Sequence, residues 1–470
     1  MVKKGKSTVL IGLQYGDEGK ARVMDTMLKY YDVVARFNGG ANAGHTLEVG
    51  NIKIALHQIP SGIFYKDKLL YVGNGCVINP KKFLLEIKEV ESYGLKLNKR
   101  LLISSLATII QPHHIYLDGL FGGAIGSTNN GIGPAYSDRA MRAEGRQIKN
   151  IRMGDYFSDT KKFKQIVKEN LLSTIKKHNL KGIIVETEVN SFHQCMLKIK
   201  KFLCSDVLFM EKMVSKGKNV FFEGAQSIML DVVYGCVPYM TSSRTVAAAA
   251  YTGGDLSLKY HDKTIGVAKA IMSRVGNGPF ISEFGGLKSE NYCMEGSGYT
   301  HIEKAELKNS NPLELLKSND LFNVGKALRM LTGEYGATTK RPRRIGMLDL
   351  VMLRQNCSLN GVDELHINKF DCLKFFSQTT LPGIPLVVAY ELNGKKIDYM
   401  PSSEYESRNV KPIIKYLSFI KEDISKIKTY EKLPDNVKKL ISFIEKFVNV
   451  KIAGIGVGPE REQFIKINKF

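Results

Sequence analysis

Short, almost unbroken apolar runs recur along the chain, separated by stretches in which apolar residues return every three or four positions. The runs at 7–13, 33–37, 69–72, 101–104, 219–222, 264–268, 364–368, 386–390 and 451–455 read as buried strands. Helical periodicity covers 19–30, 80–91, 161–178 and 436–448. The chain opens with strand, glycine-rich turn, helix and second strand, the order that builds a parallel sheet. The expected class is α/β, with a large central, mostly parallel sheet flanked by helices. No repeat and no Gly/Ser- or Pro-rich linker interrupts the pattern, so residues 1–470 read as one domain. Residues 287–332 are polar and irregular and read as an elaboration of it.

Composition fits a globular protein, with 43% hydrophobic and 24% charged residues. No apolar run approaches the length of a membrane span. Lysines precede the first apolar run, as in a signal peptide, but Gly12, Gln14, Tyr15 and Asp17 follow at once without a small-residue cleavage site. A cytoplasmic location away from membranes is therefore expected. The seven cysteines are odd in number and none forms a CxxC pair, which points to reduced thiols rather than zinc or disulfides. The net charge is +22. Lysines gather at 161–168, 198–201 and 421–439, mostly on amphipathic helices, with no basic tail and no RNP-type aromatic motif. Solvated helix faces explain them better than a nucleic-acid surface, and the diffuse positive field favours anionic substrates such as nucleotides.

The sharpest local signal is GLQYGDEGKAR at 12–22, a strand running into three glycines and then a lysine at a helix start. Glycines let backbone N–H groups approach phosphate oxygens, and the helix N-terminus adds partial positive charge. Lys20 supplies a mobile point charge. The loop is not a Walker A motif: Gln14 stands where that pattern has its first glycine, and Ala21 stands where it has the magnesium-holding Ser/Thr. If magnesium is used, Asp17 is the evident ligand.

GLQYGDEGKAR resembles the first signature of adenylosuccinate synthetases, usually QWGDEGKGK, and FNGGANAGHT at 37–46 resembles their GGxNAGHT segment. Further matches follow in family order: HQIPSGI (57–63), GNG (73–75), IGSTNNGIGPAYSDR (125–139), FEGAQSIMLD (222–231), VPYMTSS (237–243), SRVGNGPF (273–280), GEYGATTKRPRRIGMLD (333–349), NKFD (368–371) and GVGPER (456–461). The resemblance implies a P-loop-NTPase-like GTP-binding enzyme. In its reaction a base removes the N1 proton of IMP, O6 attacks the γ-phosphate of GTP, and aspartate displaces phosphate from 6-phosphoryl-IMP to leave adenylosuccinate. This is the first committed step from IMP to AMP.

By the same resemblance, Asp17 is the base and His45 the acid, and Asp17 with the Gly44 carbonyl holds one Mg²⁺ per subunit. GTP falls to Gly16, Asp17, Glu18, Gly19, Lys20, Ala21, Arg22, Gly44, His45, Thr46, Arg343, Lys369, Phe370, Asp371, Gly456, Val457 and Gly458. IMP falls to Asp17, Lys20, Asn42, Ala43, Gly44, His45, Thr128, Gln226, Thr241 and Arg341, and to Arg142 donated across a homodimer. Aspartate falls to Ala337, Thr338, Thr339, Lys340, Arg341, Pro342 and Arg343, where guanidinium forks suit two carboxylates. The Asp371 carboxylate selects guanine, which offers paired N–H donors that adenine lacks. His57, His113, His114 and His366 carry no expected role.

The chain departs from the family pattern at Tyr15, Ala21, Arg22, Asn130, Arg244 and Gly456, and in the length of 287–332. These touch fine specificity more than reaction type. A synthetase acting on dGMP is disfavoured because such relatives replace the loop aspartate, whereas Asp17 is retained. A GTP switch or P-loop kinase is disfavoured by the failed Walker A pattern and the aspartate-loop match.

Overall fold

A computed structural model describes residues 4–49, 52–122, 129–295, 302–336 and 341–467. Ten strands form one sheet in the order Leu203–Cys204, Leu101–Ser104, Leu69–Val72, Val33–Arg36, Val220–Glu223, Ser7–Gly12, His261–Lys269, Glu364–Asn368, Lys451–Gly456, Phe464–Lys466. Every pairing is parallel except the last. The inner strands are apolar almost throughout because both faces are covered. Side chains alternate between the faces: Val9 and Ile11 join one apolar cluster, and Leu10 joins the other. The predicted 69–72, 101–104 and 364–368 coincide with observed strands, and other boundaries move by a few residues.

Two expectations are corrected, at 19–30 and at 287–332. The run at 386–390 is a buried strand as expected, within Ile384–Leu392 and in a separate sheet. That strand turns back on Lys395–Ile397 through Asn393 (φ 52°) and Gly394 (φ 73°), a two-residue turn whose positive φ angles suit antiparallel strands. The helix expected over 19–30 is α-helical only over Lys20–Met27 and tightens to a 3₁₀ turn at Leu28–Tyr30. The stretch 287–332 is not irregular where described: it holds helices Gly286–Glu295, Glu303–Asn309, Pro312–Leu315 and Leu321–Thr332. Its last helix sends Val324, Ala327 and Leu328 into the main core. Its pattern is hard to read because Glu306 and Arg329 are buried charges that break the apolar periodicity.

The aligned carboxyl ends of the central strands set the site. Register pairs Leu10 with Glu223 and Glu223 with Arg36. The loops that follow those ends carry most of the expected site residues, where open parallel sheets place their ligands. No helix among the described residues is long and apolar enough to cross a membrane.

Candidate active site

The glycine-rich loop folds around its own Glu18. The Glu18 carboxylate is fully buried and accepts from the backbone N–H of Gln14 (3.1 Å) and Gly16 (2.8 Å), from Lys20 Nζ (2.9 Å) and from Ser227 Oγ (2.5 Å). Burial opposes its ionisation, yet Lys20, Ser227 and Gly16 hold it below its ordinary value. Gly16 (φ 110°) and Gly19 (φ 80°) take left-handed turns that L side chains avoid. Lys20 opens the helix with its ammonium inside the loop, donating also to the carbonyls of Gly16 (3.2 Å) and Gln226 (2.7 Å). Arg22, in the same first turn, donates to the carbonyls of Gly458 and Glu460, so it ties the loop's helix to the last predicted nucleotide-contacting turn.

Gln226 is itself left-handed (φ 55°), and both atoms of its side-chain amide are buried without a partner among the described residues. A Cβ on Gly39 would sit 3.3 Å from its Oε1, so the amide lies against the turn that leads to Asn42. The Asn42 carboxamide oxygen caps that turn from the Gly40 N–H (3.2 Å), and Ala43 closes it onto the Gly40 carbonyl (3.2 Å). His57 Nδ1 braces the Ala43 carbonyl at 2.6 Å. Gly44 is exposed, with open space where a Cβ would project.

His45 starts the hairpin His45–Val49 with Ile52–Leu56, and its Nδ1 bonds the Glu223 carboxylate. Glu223 also accepts from Ser61 N (2.9 Å) and Ser61 Oγ (2.5 Å). Burial would raise Glu223, but His45, Arg36 and Ser61 bring it down to about 2. An ionised Glu223 can only accept, so Nδ1 carries the proton and Nε2 is the atom left for a substrate. Burial pushes the His45 imidazole down, and Glu223 opposes that.

Asp17 lies 3.0 Å from Arg343 Nε. Arg343 Nη1 reaches Glu334 (2.7 Å), which also holds Lys269 (2.9 Å) and Lys369 (3.1 Å). Burial works against the charge on Glu334, but Lys269, Lys369 and Arg343 keep it well below the usual carboxylate range. Lys369 is left-handed (φ 61°), and Phe370 beyond it is core. Burial raises Asp371, whose Oδ1 has no hydrogen-bond partner among the described residues. Asn368, before them, donates to the Glu18 carbonyl at 2.6 Å and joins this turn to the phosphate loop. A Cβ on Gly456 would meet Asn368 Oδ1 at 2.5 Å, so the small residue at 456 goes with the asparagine at 368. Val457 bonds the Gln463 carbonyl (2.8 Å) and fixes the turn to Gly458.

Arg341, Pro342 and Arg343 form one side of a short stem: Gly336 N donates to the Arg341 carbonyl (2.8 Å), and Arg343 N donates to the Glu334 carbonyl (3.0 Å). Ala337, Thr338, Thr339, Lys340 and Thr128 lie outside the described residues, and of Thr46 only the backbone is described. Thr241 is held by its N–H to the Leu230 carbonyl (2.8 Å). Nearby Arg244 pairs with the buried Asp231 (3.4 Å). Arg142 (φ 66°) ends helix Ile132–Met141 and is exposed. Behind it, His113 (3.0 Å) and His114 (2.9 Å) share one Asp138 oxygen. His114 Nδ1 accepts from the Gln111 N–H, so its Nε2 donates to Asp138, and the trio clamps two helices instead of presenting metal ligands.

The sequence pattern of the adenylosuccinate synthetase family matches residues 9–465. The chain is 39% identical to adenylosuccinate synthetase 2 of Cupriavidus pinatubonensis over 461 residues, 98% of this chain and 97% of that one. It is 38% identical to the adenylosuccinate synthetase of Acetivibrio thermocellus, over 98% and 99%. The chain belongs to the adenylosuccinate synthetase family. Its fold superposes on the fully ligated adenylosuccinate synthetase of Plasmodium falciparum with TM-score 0.83 and 33% identity, covering 99% and 100% of the two chains. A cyanophage S-2L succinoaminodeoxyadenylate synthetase, bound to dGMP and dATP, is 16% identical with TM-score 0.59 over 99% and 96%, and shares the fold. The family's reaction is GTP- and Mg²⁺-dependent ligation of IMP and aspartate, and this chain is such a ligase.

Three residues of this family member escaped the sequence reading: Glu223, Glu334 and Lys269. Glu223 and Lys269 are charges at the ends of buried strands and Glu334 is a buried charge just past helix Leu321–Thr332, and a charge in such a place needs a partner. Glu223 closes the strand VFFE, and that signal was present in the sequence.

Proposed function

We propose that Asp17 and His45 drive the phosphoryl transfer from GTP to the IMP oxygen, and that Arg341 and Arg343 present aspartate to the activated purine. The observation that carries this reading is the convergence of Asp17, Lys20, Gln226 and the Glu223-oriented His45 on the carboxyl ends of adjacent strands. Asp17 accepts the N1 proton of IMP. Arg343 balances its charge and ties it through Glu334 to the guanine turn. The unpartnered amide of Gln226 fits the paired donors and acceptors of a purine edge. His45 Nε2 faces the transferring group. A bound triphosphate favours the imidazolium, which then stabilises the negative charge that grows during transfer. The free Oδ1 of Asp371 fits guanine's donors.

Asp17 and the Gly44 carbonyl are hard oxygen donors and fit a magnesium ion that keeps phosphate oxygens and water as its other ligands. When bound, that ion neutralises phosphate charge. Arg142 sits exposed at a helix end, as a residue donated to a partner subunit must, and supports a homodimer with shared sites. One domain over 1–470 is supported by a sheet whose strands run from Ser7 to Lys466. A cytoplasmic location is supported by seven free cysteines.

The test is coupled phosphate release with each component omitted in turn. Release should need GTP, IMP, aspartate and Mg²⁺ together. Comparable release without IMP and aspartate would make the chain a GTP hydrolase, and turnover of dGMP above that of IMP would move it to the deoxynucleotide reaction.

A further inference from the structure

Among the described residues, the part of the chain to which the sequence reading assigns no role reaches the stem of the aspartate loop through Glu306 and Arg329. Glu306, on helix Glu303–Asn309, is 2% exposed. It receives the Arg329 guanidinium as a fork, Nε at 2.9 Å and Nη2 at 2.6 Å, and the Tyr335 hydroxyl at 2.5 Å. Arg329 is 1% exposed and lies 5.4 Å over the Tyr292 ring. Its remaining nitrogen, Nη1, donates to the Arg343 carbonyl at 3.1 Å. One buried ion pair thus grips both sides of the stem, at Tyr335 going in and at Arg343 coming out.

The stem itself is short. Its backbone links are Gly336 N to Arg341 O and Arg343 N to Glu334 O, with Glu334 N bound to Arg329 O at 3.0 Å. Its outgoing side runs on into Arg344–Gly346, which pairs with Met272–Arg274, but so few backbone links leave the stem itself dependent on side chains for its register. Glu334 holds the opposite face by gripping the Arg343 side chain. The two carboxylates therefore set the stem from both sides, Glu334 toward the nucleotides and Glu306 from the elaboration.

We propose that Glu306 and Arg329 are positioning residues for aspartate capture, fixing the stem so that Arg341 and Arg343 meet the carboxylates of aspartate. Neither touches substrate. The inference rests on the reading of 337–343 as the aspartate-binding run. Bidentate guanidinium contacts depend on angle as well as distance, and a shift of about 1 Å is costly at a reacting centre. Removing the charge at 306 leaves Arg329 buried beside a weaker partner and frees the stem.

The experiment is steady-state kinetics on the full chain for wild type, Glu306→Gln, Glu306→Asp and Tyr335→Phe, with a thermal melt for each. In Glu306→Gln the KM for aspartate should rise about tenfold or more, and by several-fold more than the KM values for GTP and IMP, which Arg343 and Arg341 also serve. Tyr335→Phe removes one hydroxyl and keeps the ring, so it should shift the aspartate KM in the same direction by less, with its melt near that of wild type. Glu306→Asp should recover part of the loss. An unchanged aspartate KM in both Glu306→Gln and Tyr335→Phe would overturn the proposal, and so would KM values for GTP or IMP that rise as much as that for aspartate. The wild type separates the two levels: release that ignores aspartate altogether refutes the functional reading before any variant is compared.

Discussion

Asp17 is engaged by Arg343 at 3.0 Å, so its carboxylate is oriented before any nucleotide arrives. Asp17→Asn keeps the shape and loses the base. Turnover should fall by at least about a hundredfold, the lower end of general-base contributions, with GTP affinity largely kept; near-normal phosphate release would remove Asp17 from that role. Glu223 acts one step back, through the ring it orients. Its folded carboxyl titrates at about 2 against an ordinary 4.5, so it contributes stability above 4.5 and loses it as pH falls toward 2. The stability difference between wild type and Glu223→Gln should be flat near neutrality and shrink across that acid window in urea titrations at stepped pH. A difference constant down to the lowest pH would show that the carboxylate is not held by His45 and Arg36.

Among the elements, the first helix matters through its first turn. Its start holds Lys20 inside the loop, and Arg22 fastens it to the turn at Gly458. The family pattern has lysine where Arg22 stands, and the guanidinium explains the change: it spans two carbonyls that a single ammonium reaches less well. Helix Pro80–Ser92 is instead a support, capped by the Asn79 side chain accepting from Lys82 N at 3.1 Å. Asn79→Ala should cost about 1 kcal/mol in chemical unfolding. The KM values for GTP, IMP and aspartate should not move, which separates a supporting element from one that shapes the site.

For the whole molecule, the exposed Arg142 carries the prediction of shared sites. Arg142→Leu should raise the KM for IMP. Mixed with Asp17→Asn subunits under exchange, it should give activity well above either variant alone, because one site of each hybrid has both residues intact. Mixtures no more active than the separate variants would place Arg142 in its own subunit's site or in none.

The chain's pattern alone carried the parallel sheet, because strands buried on both faces must be apolar and Val9, Val34 and Phe221 announce themselves. The candidate reactive residues Asp17, Lys20 and His45 also lie in runs with family spacing, each local to its loop. What the pattern did not carry was pairing across distance. Glu223 and His45 are 178 residues apart, and Glu306 and Tyr335 belong to different elements. Only folding brings such charges together: a charge at the end of an apolar run, such as Glu223, announces that it needs a partner but not which one. The hairpin after Ile384 and the helices of 287–332 were decided at that level too, since the turn at Asn393 and Gly394 and the buried pair of Glu306 and Arg329 have meaning only against the surfaces they pack on.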